Sequence, residues 1–115
     1  YGYSVSDDGL VKKWGEGVPP ATVGNVGHTS TDFGFTPATA VLSDDLRQLP
    51  TDTDVYYEIE DSNGNVVTVN RSDIDGEVDT SSLTSGTVHV TAYLERPDTD
   101  TASPELDSWA VYFDG

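Results

Sequence analysis

The chain has no cysteine, no methionine and only five cationic side chains, two Lys and three Arg. Without cysteine there is no disulfide framework, no thiolate nucleophile and no zinc–thiolate site. Without methionine there is no initiator, so the 115 residues are expected to be processed or excised from something longer. No run is long and apolar enough to span a bilayer, and nothing at the start resembles a signal peptide. Five scattered cations cannot build the basic stripe that a phosphate backbone requires, which excludes nucleic acid as a partner. An anionic membrane surface is excluded on the same ground. Hydrophobic residues are also sparse at 35%, so the aromatics, 10% of the chain, must carry much of the burial.

What the chain has in excess is acid. Fifteen Asp and six Glu bring the formal net charge to -16. The acids are dispersed rather than blocked, Thr is abundant and Lys is nearly absent, a combination that resembles the proteome of salt-in halophilic archaea. Molar salt shortens the screening length to about 3 Å and removes most of the repulsion such a surface generates. Disorder does not fit, because strand patterns run through the whole sequence. Residues 1–115 are read as one domain, large enough for a single core.

The pattern is clearest in the last third. Val88, Val90, Ala92 and Leu94 alternate with His89, Thr91, Tyr93 and Glu95, the period of a strand with one buried face. In Pro104–Asp114, Trp109, Val111 and Phe113 share a face, with Ala110 and Tyr112 opposite; both faces being apolar predicts a central strand. Val55, Tyr57 and Ile59 alternate with Tyr56, Glu58 and Glu60, and Asn63-Gly64 suits the positive φ angles of a tight hairpin turn before the returning strand Asn65–Val69. Tyr1–Val5 reads as an edge strand. Leu10–Trp14 follows, its two Lys placed to guard an edge. Ala21–Gly27 is weakly strand-like, Phe33 and Phe35 fall on one face, and Ala38–Leu42 is a short strand. Ser43–Leu49, with a cap-like Ser43, predicts one helical turn before Pro50. The sum is about eight to nine strands with turns at sandwich spacing. The fold class is therefore all-β, a single antiparallel β-sandwich, jelly-roll-like.

Four stretches together, Tyr56–Asn65, Glu77–Leu83, Val88–Leu94 and Ser103–Val111, resemble the galactose-binding-like (discoidin-type) jelly-roll module. That family occurs on microbial surface proteins and on the tail or fibre proteins of viruses. The resemblance covers about residues 36 to 113 and carries no catalytic signature. It implies a ligand site in loops at one end of the sandwich, with no residue transferable by motif.

Several groups could carry chemistry. Asp73, Asp75, Glu77 and Asp79 form an i, i+2 series around Gly76 and could supply oxygens to Ca2+, although the order matches no EF-hand. Asp98, Asp100, Glu105 and Asp107 form a similar group. Glu58 and Glu60 lie about 7 Å apart on one strand face, a separation that glycosidases use; a solvated face explains them better. His89 reads as a sheet residue and His28 as a loop residue, and no nucleophile elbow is present. Trp109 is assigned to the core. Tyr1, Tyr3, Trp14 and Tyr56 are the exposed aromatics, able to stack on a sugar or to pack against another subunit. The expectation is a non-enzymatic structural or adhesive module of an extracellular, cell-surface or virion assembly, oligomeric with other protein subunits. The alternative is a carbohydrate-binding module of a secreted polysaccharide-active enzyme.

Overall fold

The computed structural model describes residues 3–5, 11–13, 23–29, 32–98 and 100–115. Its strands are β1 (Tyr3–Val5), β2 (Val11–Lys13), β3 (Val23–Thr29), β4 (Thr39–Gln48), β5 (Asp54–Asp61), β6 (Val66–Val69), β7 (Glu77–Asp79), β8 (Val88–Glu95) and β9 (Glu105–Asp114). A short 3-10 turn, Arg71–Asp73, follows β6. Two antiparallel sheets face each other, one ordered β2-β1-β9-β4-β7 and the other β3-β8-β5-β6.

The order is that of a rolled ribbon. β5 pairs with β6, β4 with β7, β3 with β8 and β1 with β9, each pair nested around the previous one. A long hairpin folded over in this way places alternate pairs in opposite sheets, which is the jelly roll. β2 is added at the outer edge of β1.

The period-two patterns decide which faces meet. Val55, Tyr57 and Ile59 of β5 and Val88, Val90, Ala92 and Leu94 of β8 are buried, and they pack against Ala40, Leu42 and Leu106 of the opposite sheet. Val69 and Leu83 complete the core. Each such side chain contributes about 1.5–3 kcal/mol when taken out of water. The two sheets contribute unequally. Among the residues whose burial is described, the five-stranded sheet supplies few that are fully buried, and its Trp109, Val111 and Phe113 are only half-buried against the core.

Three expectations are corrected. Ser43–Leu49 is not a helical turn: β4 continues through Gln48, because β9 pairs with it over its whole length. A lone capping residue offers one helix turn little against a ladder of that length. Within this stretch Asp44 points inward and meets Arg71. The opening strand β1 is not at an edge but lies between β2 and β9; the edge belongs to β2, which carries both Lys. β9 is central in its sheet as expected, and its outer face is open, with Tyr112 75% exposed. At the β5–β6 turn only Gly64 has positive φ, +87°, and Asn63 does not. The Gly64 N–H donates to the Asp61 carbonyl (3.1 Å) and the Asp61 N–H to Asn65 (2.9 Å), a turn closed by a glycine bulge.

Candidate functional site

The unequal core leaves an opening. A cleft of 880 Å³ lies between β3 of one sheet and β9 of the other, walled by Val26, Phe33, Trp109, Val111 and Phe113, with Phe35 at its rim. Three sequence features place these rings. Alternation along β9 turns Trp109, Val111 and Phe113 toward the interior. Asp32 Oδ1 accepts a hydrogen bond from the Gly34 N–H (2.8 Å), and Gly34 takes φ +80°, which lets the chain reverse between Phe33 and Phe35. The two rings then stack at 5.7 Å, and Phe33 reaches Phe113 at 5.2 Å. Phe33 and Phe35 share a face as expected, from a bend rather than a strand.

Gly86 holds this bend against the sandwich. The Phe33 N–H donates to its carbonyl (3.1 Å), and the Phe35 carbonyl and Asp32 carboxylate approach so closely that a Cβ there would lie 2.5 Å from each. Trp109, assigned to the core, is half-buried and spans both settings: it packs on Tyr57 at 5.6 Å on one side and lines the cleft on the other. The cleft is therefore an aromatic, mostly apolar binding volume of the size that suits a small ligand or a peptide segment.

A second candidate lies on the outer face of the four-stranded sheet. Tyr56 of β5 and Tyr93 of β8 are directly opposite in the ladder, and their rings stack at 5.1 Å. The Tyr56 hydroxyl donates to Glu95 (3.1 Å), and that of Tyr93 hydrogen-bonds Glu58. Partial burial pushes the Tyr56 phenol up to about 12, reinforced by the charges of Glu95 and Glu58. For Tyr93 the Glu58 hydrogen bond is the chief cause of an upward shift, followed by burial and the acids around it. Farther along this face His89 shares a hydrogen bond with Thr29 and lies over Gly27.

The other expected residues are accounted for singly. Tyr1 and Trp14 lie outside the described residues, and Tyr3 is described only as a backbone position of β1 opposite Leu106. Asp73 accepts from the Asn70 N–H (3.1 Å) and Asp79 from the Ser81 N–H (2.8 Å), so both close local turns. Asp75 sits at φ +65° with its own N–H given to Leu42 (2.8 Å). Among the described residues no group of three or more His, Asp or Glu side chains is arranged to hold a metal ion. Asp98 Oδ1 accepts from the backbone of Asp100 and from both the N–H and the hydroxyl of Thr101, closing the loop before β9. Glu58 is engaged with Tyr93, Glu60 is exposed opposite His89, and His28 is exposed at the cleft. Sequence reasoning named Tyr56 but missed Tyr93, whose role depends on register, and it missed the cleft. The one available signal for the cleft was the pair of rings in Phe33-Gly34-Phe35.

Compared with protein-family models, with curated proteins and with solved structures, the chain finds no match.

Proposed function

We propose that this domain is a non-enzymatic structural or adhesive module of an extracellular assembly, and that the aromatic cleft is where it meets another protein chain. The setting we favour is a halophilic virion, as a tail, fibre, turret or decoration element, or a halophilic cell surface. Kinship with galactose-binding-like modules belongs to the same proposal. The observation that carries the reading is the placement of Phe33, Phe35, Trp109 and Phe113 around a cleft that is open among the described residues. Contiguous apolar surface of this kind is costly in water unless something covers it, and aromatic residues are what protein interfaces select. The acidic surface outside the cleft fits a domain kept soluble where salt screens charge.

Phe35, at 41% exposure, can be replaced by a photoreactive phenylalanine without disturbing the core. Irradiating the assembly in the organism that makes the protein should then yield an adduct to another polypeptide. Adducts within the chain alone would remove the reading.

A second reading is carbohydrate binding on the outer sheet face, favoured by the Tyr56–Tyr93 stack beside Glu58 and Glu95. It requires a glycan whose binding is lost in Tyr93→Ala.

A further inference from the structure

The chain has four asparagines, and one of them, Asn70, opens the tripeptide Asn70-Arg71-Ser72. Asparagine followed two residues later by Ser or Thr, with any residue but proline between, is the acceptor signal for an N-linked glycan. None of Asn25, Asn63 and Asn65 has Ser or Thr two positions on. Asn63 and Asn65 are also committed elsewhere, each donating from its carboxamide to the Thr84 hydroxyl (2.9 and 2.8 Å).

The fold presents the three residues of the signal in the required way. Asn70 follows the last residue of β6 with extended backbone, φ -84° and ψ 169°, and is exposed. Ser72 is exposed as well. Arg71 turns the other way and engages the Asp44 carboxylate, with Nη2 3.2 Å from Oδ1. The middle residue thus anchors the turn to the sandwich, while the two side chains that a transferase reads flank it in solvent. Main-chain groups close the turn. The Asn70 N–H donates to Asp73 Oδ2 (3.1 Å), and the Asp73 N–H donates to the Asn70 carbonyl (2.9 Å). A sugar on the Asn70 amide nitrogen leaves both bonds in place.

The position is also open to a large enzyme. β6 is an edge strand, at the end of its sheet opposite β3. The aromatic cleft lies on the β3 side. A bulky, hydrated group at Asn70 therefore does not obstruct contact through the cleft.

We propose that Asn70 is an N-glycosylation site, modified by an oligosaccharide activated as the phosphate ester of a membrane lipid. In the transfer, Nδ2 of Asn70 forms a bond to the anomeric carbon of the first sugar. The bond from that carbon to the phosphate oxygen breaks, the phosphate leaves with the electron pair, and one Nδ2 proton passes to base. The signal has this meaning only for a chain exported across a membrane, so the proposal rests on the extracellular reading above.

The test is mass spectrometry of the intact protein and its peptides, purified from the organism that makes it. Asn70 should carry the added sugar mass. Asn70→Gln and Ser72→Ala should abolish it, and Ser72→Thr should keep it, because threonine preserves the hydroxyl that the signal requires. The two Ser72 variants alter the same exposed side chain, so misfolding does not explain a difference between them. An unmodified Asn70 in protein recovered outside the cell, or sugar retained in Ser72→Ala, would overturn the proposal and leave the extracellular reading standing. Protein found only inside the cell would remove both.

Discussion

Tyr57 of β5 donates a 2.7 Å hydrogen bond to Asp44 Oδ2 of β4, joining the two sheets through the interior. Asp44 has a side chain only 3% exposed, and Arg71, from the turn after β6, engages both of its oxygens. Burial, and then the bond to Asp44, holds the Tyr57 phenol well above its ordinary range.

This cluster sets a ranking of substitutions in urea denaturation. Arg71→Ala leaves a buried carboxylate without its cation and should cost about 3 kcal/mol, the low end for such pairs because Arg71 itself is partly solvated. Tyr57→Phe should cost about 1–3 kcal/mol, the range for a lost bond to a charged group. Replacing Asp44 and Arg71 together by Leu should cost less than Arg71→Ala alone. The reverse order would mean that Asp44 is solvated.

Asp61 predicts acid sensitivity. Burial works against its ionisation. Hydrogen bonds from the N–H groups of Thr84, Asn65 and Asn63 and from the Asn65 amide outweigh it and hold the carboxyl far below its ordinary 3.8. A depressed folded-state pKa contributes stability above the unfolded value and loses it as pH falls toward the folded one. Asp61→Asn should therefore lower the thermal midpoint at pH 7, and its deficit should shrink steadily below about pH 4. A deficit independent of pH would assign the loss to packing instead.

Gly27 and Gly86 are both too crowded for a side chain, with different consequences. A Cβ at Gly27 would come within 2.3 Å of the His89 ring, which is exposed and can swing away. At Gly86 it would meet the Phe35 backbone carbonyl at 2.5 Å, which cannot move alone. Calorimetry should find Gly86→Ala destabilised by about 1–3 kcal/mol and Gly27→Ala by clearly less.

The net charge of -16 makes stability a function of salt. Moving from dilute buffer to molar NaCl should raise the thermal midpoint, and each 1 kcal/mol of relieved repulsion is worth about 4–8 °C for a domain near this size. A midpoint indifferent to salt would remove the halophilic setting from the proposed function.

The parts of the fold legible in the sequence are those whose reasons are local. β5, β6 and β8 alternate cleanly, and Asn63-Gly64 marks the reversal between β5 and β6, so the hairpin and the main core strand follow from period and turn chemistry. β4 reads as interrupted because Asp44 occupies an inward position. Its partner Arg71 stands 27 residues away and is brought close only by the rolled ribbon. The candidate site fails to show for the same reason. Phe33 and Phe35 are visible as a pair, but nothing near them in the chain reveals that Trp109 and Phe113 will stand opposite. Tyr56 is recognisable as an outward aromatic, while its stack with Tyr93 depends on the pairing register of β5 with β8.

The nested ribbon also dictates a sequence of events. β5 and β6 meet across a turn of a few residues, whereas β1 cannot find β9 until the chain beyond residue 105 exists. Closing long loops before any contact rewards them is what slows β-sandwich folding. The domain should therefore zip from its middle outward, the hairpin around Gly64 first and the β1–β9 pair last. On a ribosome β1, made before the other strands described here, is the last of them to be placed. Until then the inner face of β8, with Val88, Val90, Ala92 and Leu94, is the surface most in need of cover.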